Sequence, residues 1–141
     1  MKILLPVDGS EYSQRAAAYV RRHAGLLAEP PEIHILHVHP PLPYPGVVNV
    51  VGKAAIEGYQ RDESLAVLAV AEKALEGSRS APKSSWCVGD VTEQVRRYVE
   101  SNAIDLIVVG SHGRGAASSF ALGSVTQKLL AALKTPVLVV R

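Results

Sequence analysis

The stretch from Gly110 to Ser124 brings glycines at positions 110, 113, 115 and 123 together with Ser111, His112, Arg114 and Ser124, and it holds no acidic residue. Glycine lets backbone N–H groups approach an anion closely and permits φ > 0. Ser111, Ser124 and the nearby Thr126 add hydroxyls, and Arg114 adds a guanidinium. A helix that starts there would contribute unpaired N–H donors and the positive end of its dipole. Such a set suits phosphate. The same residues also suit a glycine-rich turn that packs a helix on a sheet, and residue types alone leave both readings open.

The familiar nucleotide signatures are not met. Gly110 and Gly115 have the Walker spacing, but Ala116 and Ala117 stand where Lys and Ser/Thr are required. Gly113-Arg114-Gly115 would open a dinucleotide fingerprint, yet Ser118 replaces its third glycine and no acid follows to hold a ribose.

Other reactive side chains are more equivocal. Asp8, followed by Gly9 and Ser10, suits a ligand contact or a turn in which its carboxylate bonds only to backbone. His34, His37 and His39 invite a metal reading. On a strand, however, His37 and His39 share a face that His34 does not, so three convergent ligands are not expected. His112 has no carboxylate nearby in sequence to orient it as a general base. Cys87 is the sole cysteine, which excludes an intramolecular disulfide and a cysteine zinc cluster and fits a reducing compartment. It and Trp86 read as packing residues of a strand.

Short β-rich runs and helical patterns alternate from end to end. The expected strands are Lys2 to Val7, Ile33 to His39, Ser84 to Val88, Asp105 to Val109 and Pro136 to Val140. Between them lie four apolar stripes at three-to-four spacing. The first, Tyr12, Ala16, Tyr19, Val20, Ala24 and Leu27, follows Ser10 as a natural N-cap. The second is Leu65, Leu68, Ala71 and Leu75. The third, Val91, Val95, Tyr98 and Val99, follows Asp90 and Glu93, which resemble a capping box. The last, Val125, Leu129, Leu130 and Leu133, starts just after Gly123-Ser124. This β-α alternation is the signature of an open parallel sheet with helices on both faces. Ligands in such sheets sit beyond the carboxyl ends of the strands, where strand order reverses. The loops beginning at Asp8, Val38, Gly89 and Gly110 therefore matter most.

Composition bounds the function. A chain of 141 residues with 48% hydrophobic residues suits one domain, 1–141, with a full core. A net charge of +2, with acids and bases interleaved, argues against disorder and against a dedicated nucleic-acid binder. No run approaches the roughly 20 apolar residues that span a bilayer. The run Met1 to Val7 is stopped by Asp8 and Gly9 before a signal-peptide core is complete, so a cytoplasmic protein with no membrane partner is expected. Pro40 to Gly52, with four prolines and Val47, Val48, Val50 and Val51, reads as an ordinary long loop or as a lid or partner contact.

Gly110-x2-Gly113-x9-Gly123-Ser124 resembles the phosphate-loop pattern of the nucleotide-binding branch of the universal stress protein family. The opening Ile3 to Ser10, Leu36-His37-Val38, Val88-Gly89-Asp90, Asp105 to Gly115 and the closing Thr135 to Val140 resemble that family in the same order. The resemblance implies a Rossmann-like, adenine nucleotide alpha hydrolase-like fold with strand order 3-2-1-4-5. It implies an ATP or AMP site, with Mg2+ at most carried in by the phosphates. Asp8 would meet the ribose, with Pro6 and Val7 beside the nucleoside and Val38 at the adenine. Gly110, Ser111, His112, Gly113, Arg114 and Gly115 would wrap the phosphates from one side, and Gly123, Ser124, Val125 and Thr126 from the other. The family likewise implies a homodimer through the terminal strand, which at a sheet edge would otherwise be bare. The expectation is thus a stress-response regulator that binds nucleotide, with hydrolysis slow if present. A true ATPase or phosphotransferase using His112 or Arg114, and a dimeric module without nucleotide, are the alternatives.

Overall fold

Strands and helices alternate along the residues described by the computed structural model, 1–41, 52–115 and 122–141. The strands are β1 (Lys2–Val7), β2 (Glu32–His39), β3 (Lys83–Val88), β4 (Leu106–Gly110) and β5 (Val137–Val140). The helices are α1 (Glu11–His23), α2 (Lys53–Ala74), α3 (Val91–Asn102) and α4 (Ser124–Ala132). Every pairing is parallel, and the sheet order is β3-β2-β1-β4-β5, as expected. Order reverses between β1 and β4, so their carboxyl ends open a crevice.

The pleat sends successive side chains to opposite faces and so divides the core in two. Ile3, Leu5, Ile33, Ile35 and Val108 pack with Ala16, Ala17 and Val20 of α1 and Val67, Leu68 and Ala71 of α2. Leu4, Leu36, Val38, Ile107 and Val109 pack with Val95 and Val99 of α3 and Leu129 of α4. β1 and β4 are buried on both faces, which explains their near-continuous apolar sequence. β5 is an edge strand whose residues are only half-buried.

β1 has the expected bounds and no other strand end moves by more than one residue, but the helical stripes move further. α2 starts at Lys53, well before its expected stripe, and buries Gln60, Ser64 and Val67 while Leu65 is 49% exposed. This helix is rich in small residues, so where it crosses α1 and the sheet, not its leucine spacing, selects the inner face. On α1, Tyr19 leaves the core and stacks on His23, while Ser13 and Ala17 turn inward. On α4, Leu129 is buried but Val125 and Leu130 are exposed. Only half of the capping box forms. The Glu93 N–H donates to Asp90 Oδ1 at 3.0 Å, but the Glu93 carboxylate pairs with Arg96 and Arg97 instead of returning to the cap. Of the loop read as a possible lid, residues 42–51 lie outside the described residues, as do 116–121.

Candidate functional site

The turn after β1 and the loop after β4 meet through one carboxylate. Asp8 Oδ1 accepts a hydrogen bond from the Ser10 N–H at 2.9 Å, and Asp8 Oδ2 accepts one from the Arg114 N–H at 3.1 Å. Ser10 caps α1, its Oγ accepting from the Ser13 N–H at 3.2 Å. Asp8 thus bonds to backbone, as the turn reading allowed, but to the backbone of two separate loops. An ionised carboxylate offers about four acceptor positions, so further ones remain.

The loop after β4 is closed at its base. The Gly123 N–H donates to the Ser111 carbonyl at 2.8 Å, and the Ser111 N–H donates to the Val140 carbonyl of β5 at 2.7 Å. The Thr126 hydroxyl donates to the buried Gly110 carbonyl at 2.9 Å. Its single proton is therefore committed to holding α4 against β4 and is not available to a ligand. Ser111 is 1% exposed, and its Oγ pairs with His112 Nδ1 at 3.0 Å. It orients the imidazole and does not line the cleft, unlike the wrapping role expected of it.

Three of the loop glycines exist for close packing. A Cβ on Gly110 would stand 2.7 Å from the Tyr12 backbone, one on Gly113 2.7 Å from Asp8 Oδ2, and one on Gly123 3.1 Å from His112 Cα. A Cβ on Gly115 would meet nothing within 4 Å among the described residues. None of these four has positive φ; Gly9, after Asp8, does, at 79°. The expected conformational freedom is thus used in the first turn, and the loop after β4 uses glycine for proximity.

Donors converge where the chain enters α4. No side chain among the described residues caps that helix, whereas Ser10 caps α1 and Asp90 caps α3. The first-turn N–H groups of α4 are therefore left for water or a ligand. Beside them, His112 Nε2 is buried with no hydrogen-bond partner among the described residues, and its ring leans on Tyr12 at 5.0 Å.

These groups border a cavity of about 290 Å³. Pro6, Val7, Asp8, Val38, Gly110, His112, Gly113, Arg114, Gly115, Gly123, Ser124, Val125 and Thr126 all line it, so every expected site residue but Ser111 is present. Ser13, Leu36, Val91 and Val109 complete the wall and were not foreseen. The pleat carried a signal for Leu36, which shares a strand face with Val38. Val91 and Ser13 come from helix starts, which no loop motif marks.

The three histidines separate as their alternation requires: His34 shares the α3 face of the sheet with Leu36 and Val38, and His37 and His39 lie on the opposite, α2 face. His34 Nε2 donates to the Glu32 carboxylate at 2.7 Å, and the Tyr98 hydroxyl donates to His34 Nδ1 at 3.0 Å. His37 Nδ1 donates to the Val7 carbonyl at 2.8 Å, and burial pushes this imidazole below its ordinary range. His39 Nε2 bonds to Glu63 Oε2 at 2.9 Å and its Nδ1 donates to the Pro40 carbonyl at 2.7 Å. His37, His39, Tyr59, Glu63 and Arg114 border a second, shallower cleft. The Arg114 guanidinium sits there, over Gly9 and 3.6 Å from Glu63 Oε1. No cluster among the described residues has the make-up of a metal site, and none of their helices is long and apolar enough to cross a membrane.

A family model described as the universal stress protein family matches residues 1–141. A universal stress protein of Thermus aquaticus is 32% identical over 143 residues, covering 99% of this chain and 97% of the relative. One from Synechocystis is 32% identical over 140 residues, but the chain spans only 42% of its length. Among solved structures, MJ0577 superposes with a TM-score of 0.80 at 30% identity, covering 99% of this chain and 94% of that one. A universal stress protein of Archaeoglobus fulgidus in complex with dAMP, at 19% identity, covers 100% of this chain and 98% of its own, and shares the fold with a TM-score of 0.66.

Proposed function

We propose that this chain, which belongs to the universal stress protein family, is a regulatory protein that binds an adenine nucleotide, ATP or AMP, in the cleft between β1 and β4. The observation that carries the reading is the side-chain-uncapped start of α4 beside the unpartnered His112 Nε2. A buried polar atom without a partner costs free energy that a phosphate oxygen would recover. The apolar wall of Leu36, Val38, Val91 and Val109 suits a purine, and the remaining acceptor positions of Asp8 suit ribose hydroxyls. A relative of the same fold crystallised with dAMP supports the ligand class. Magnesium, where it accompanies a triphosphate, would ride on the phosphate oxygens and screen their charge.

Binding is favoured over turnover. The group beside His112 Nδ1 is the Ser111 hydroxyl and not a carboxylate, so no orienting acid makes the imidazole a strong base. Two copies would join along β5, whose half-buried edge is flanked by the exposed Val125 and Leu130 of α4. The stress-response role and a cytoplasmic setting come to this chain from the family.

Mass spectrometry of the small molecule that co-purifies with the recombinant protein, followed by calorimetry with ATP, AMP and adenosine, tests the reading. Nucleotide binding with stronger retention of phosphorylated species is expected. No binding at millimolar ATP would leave the dimeric module as the function.

A further inference from the structure

Arg114 borders both clefts, one on each face of the sheet, and only one of them holds its guanidinium here. The backbone N–H of Arg114 is anchored on Asp8. Its side chain crosses to the α2 side, over Gly9, where a Cβ would lie 2.8 Å from Nη2. There Glu63 of α2 faces it, with Oε1 3.6 Å from Nη1. The other Glu63 oxygen is occupied by His39, and Tyr59 lines the same cleft beside this carboxylate. These neighbours, His39 foremost, hold the Glu63 carboxyl below its usual range, so it remains an anion.

Resting on the nucleotide reading above, we propose that Glu63 sets the phosphate preference of the site by competing with bound phosphate for the Arg114 guanidinium. The pair is built for exchange. Its side chains are 55% and 35% exposed, so solvent weakens the attraction, and the separation exceeds a good hydrogen bond. Arginine carries a planar fork on a flexible stem, which matches phosphate as well as carboxylate. With the backbone fixed at Asp8, only side-chain rotation is needed to move the charge across the sheet edge. A longer phosphate chain would draw Arg114 from Glu63 more strongly than a single phosphate, and a nucleoside would not draw it at all. Glu63 is thereby a specificity-determining residue that never touches the ligand.

The test is calorimetry with ATP, AMP and adenosine on the unmodified chain, Glu63→Gln, Arg114→Gln and the double variant. Glutamine keeps an oxygen for His39, and circular dichroism checks that the fold survives. Glu63→Gln should tighten ATP about twofold to fivefold, AMP less and adenosine not at all, as expected for release of an exposed ion pair. In the Arg114→Gln background this gain should shrink towards unity. A gain of equal size without Arg114 would mean simple repulsion by Glu63 and would overturn the proposal, as would unchanged ATP affinity in Glu63→Gln. Failure of the unmodified chain to bind any adenine nucleotide would instead overturn the nucleotide reading and this proposal with it.

Discussion

The carboxylate of Asp8 accepts the backbone N–H of Arg114 at 3.1 Å across a sequence separation of 106 residues. This bond, with that from Ser10, ties the turn after β1 to the loop after β4 at the point where the strand order reverses. The first strand therefore positions the glycine-rich loop directly and does more than pair with its neighbours.

Removing that tie should loosen the site more than the fold. Asp8→Ala leaves two N–H donors without their acceptor, and we expect it to cost about 1–2 kcal/mol of stability. Adenine-nucleotide affinity should fall about tenfold or more, while Asp8→Asn, which keeps one oxygen, should lie between. Urea denaturation and calorimetry measure the two effects, and an unchanged affinity in Asp8→Ala would show that the loop is ordered without it.

The glycines should separate into two classes. Gly113→Ala presses a methyl group against Asp8 Oδ2, and Gly123→Ala presses one against the His112 backbone, so both should weaken nucleotide binding by displacing the loop. Gly115→Ala meets no described residue within 4 Å, at ordinary φ, and should bind as the unmodified chain does. Equal losses at all three positions, read by thermal shift with ATP, would contradict the packing account.

Thr126 should behave as a structural hydroxyl. Thr126→Val strands the Gly110 carbonyl and should cost about 1–3 kcal/mol, measured by chemical denaturation. Thr126→Ser keeps the donor and should leave nucleotide affinity within about twofold. A large affinity loss in Thr126→Ser would argue for direct ligand contact.

Acid should destabilise the protein in two stages. Burial, foremost, lowers His37 from its ordinary 6.5, so the unfolded chain binds this proton more readily than the folded one. Stability contributed by neutral His37 is therefore present above pH 6.5 and is lost as pH falls below it. Glu32, held at about 2 by hydrogen bonds from Lys83 and His34, contributes above its ordinary 4.5 and is lost as pH falls towards 2. Melting temperatures between pH 8 and pH 5 should decline, and His37→Gln should flatten that decline.

The edge strand should decide the assembly. Light scattering should give twice the 15.0 kDa chain mass for the unmodified protein. Val139→Lys should yield monomer or insoluble protein, because a lysine on a bare apolar edge blocks strand pairing or exposes the core. An unchanged dimer mass in that variant would refute β5 as the interface.

Hydrophobic periodicity and turn residues were enough to specify all five strands, their parallel pairing and the edge of the sheet that carries the site. Such signals are local, because a strand buried on both faces must be apolar throughout and a parallel pair must be joined by a helix. The motif from Gly110 to Ser124 marked the phosphate-side candidates for the same reason. Tertiary packing decided what sequence spacing left open. It turned Leu65 outward and Ser64 inward, since the crossing of α2 over α1 and the sheet selects its buried face. It committed the Thr126 proton to Gly110, withdrew Ser111 behind His112 and brought Val91 and Ser13 into the wall. Above all it set Glu63 opposite Arg114 across 51 residues, a pairing that depends on how the middle of α2 packs beside the loop after β4 and that no local pattern encodes.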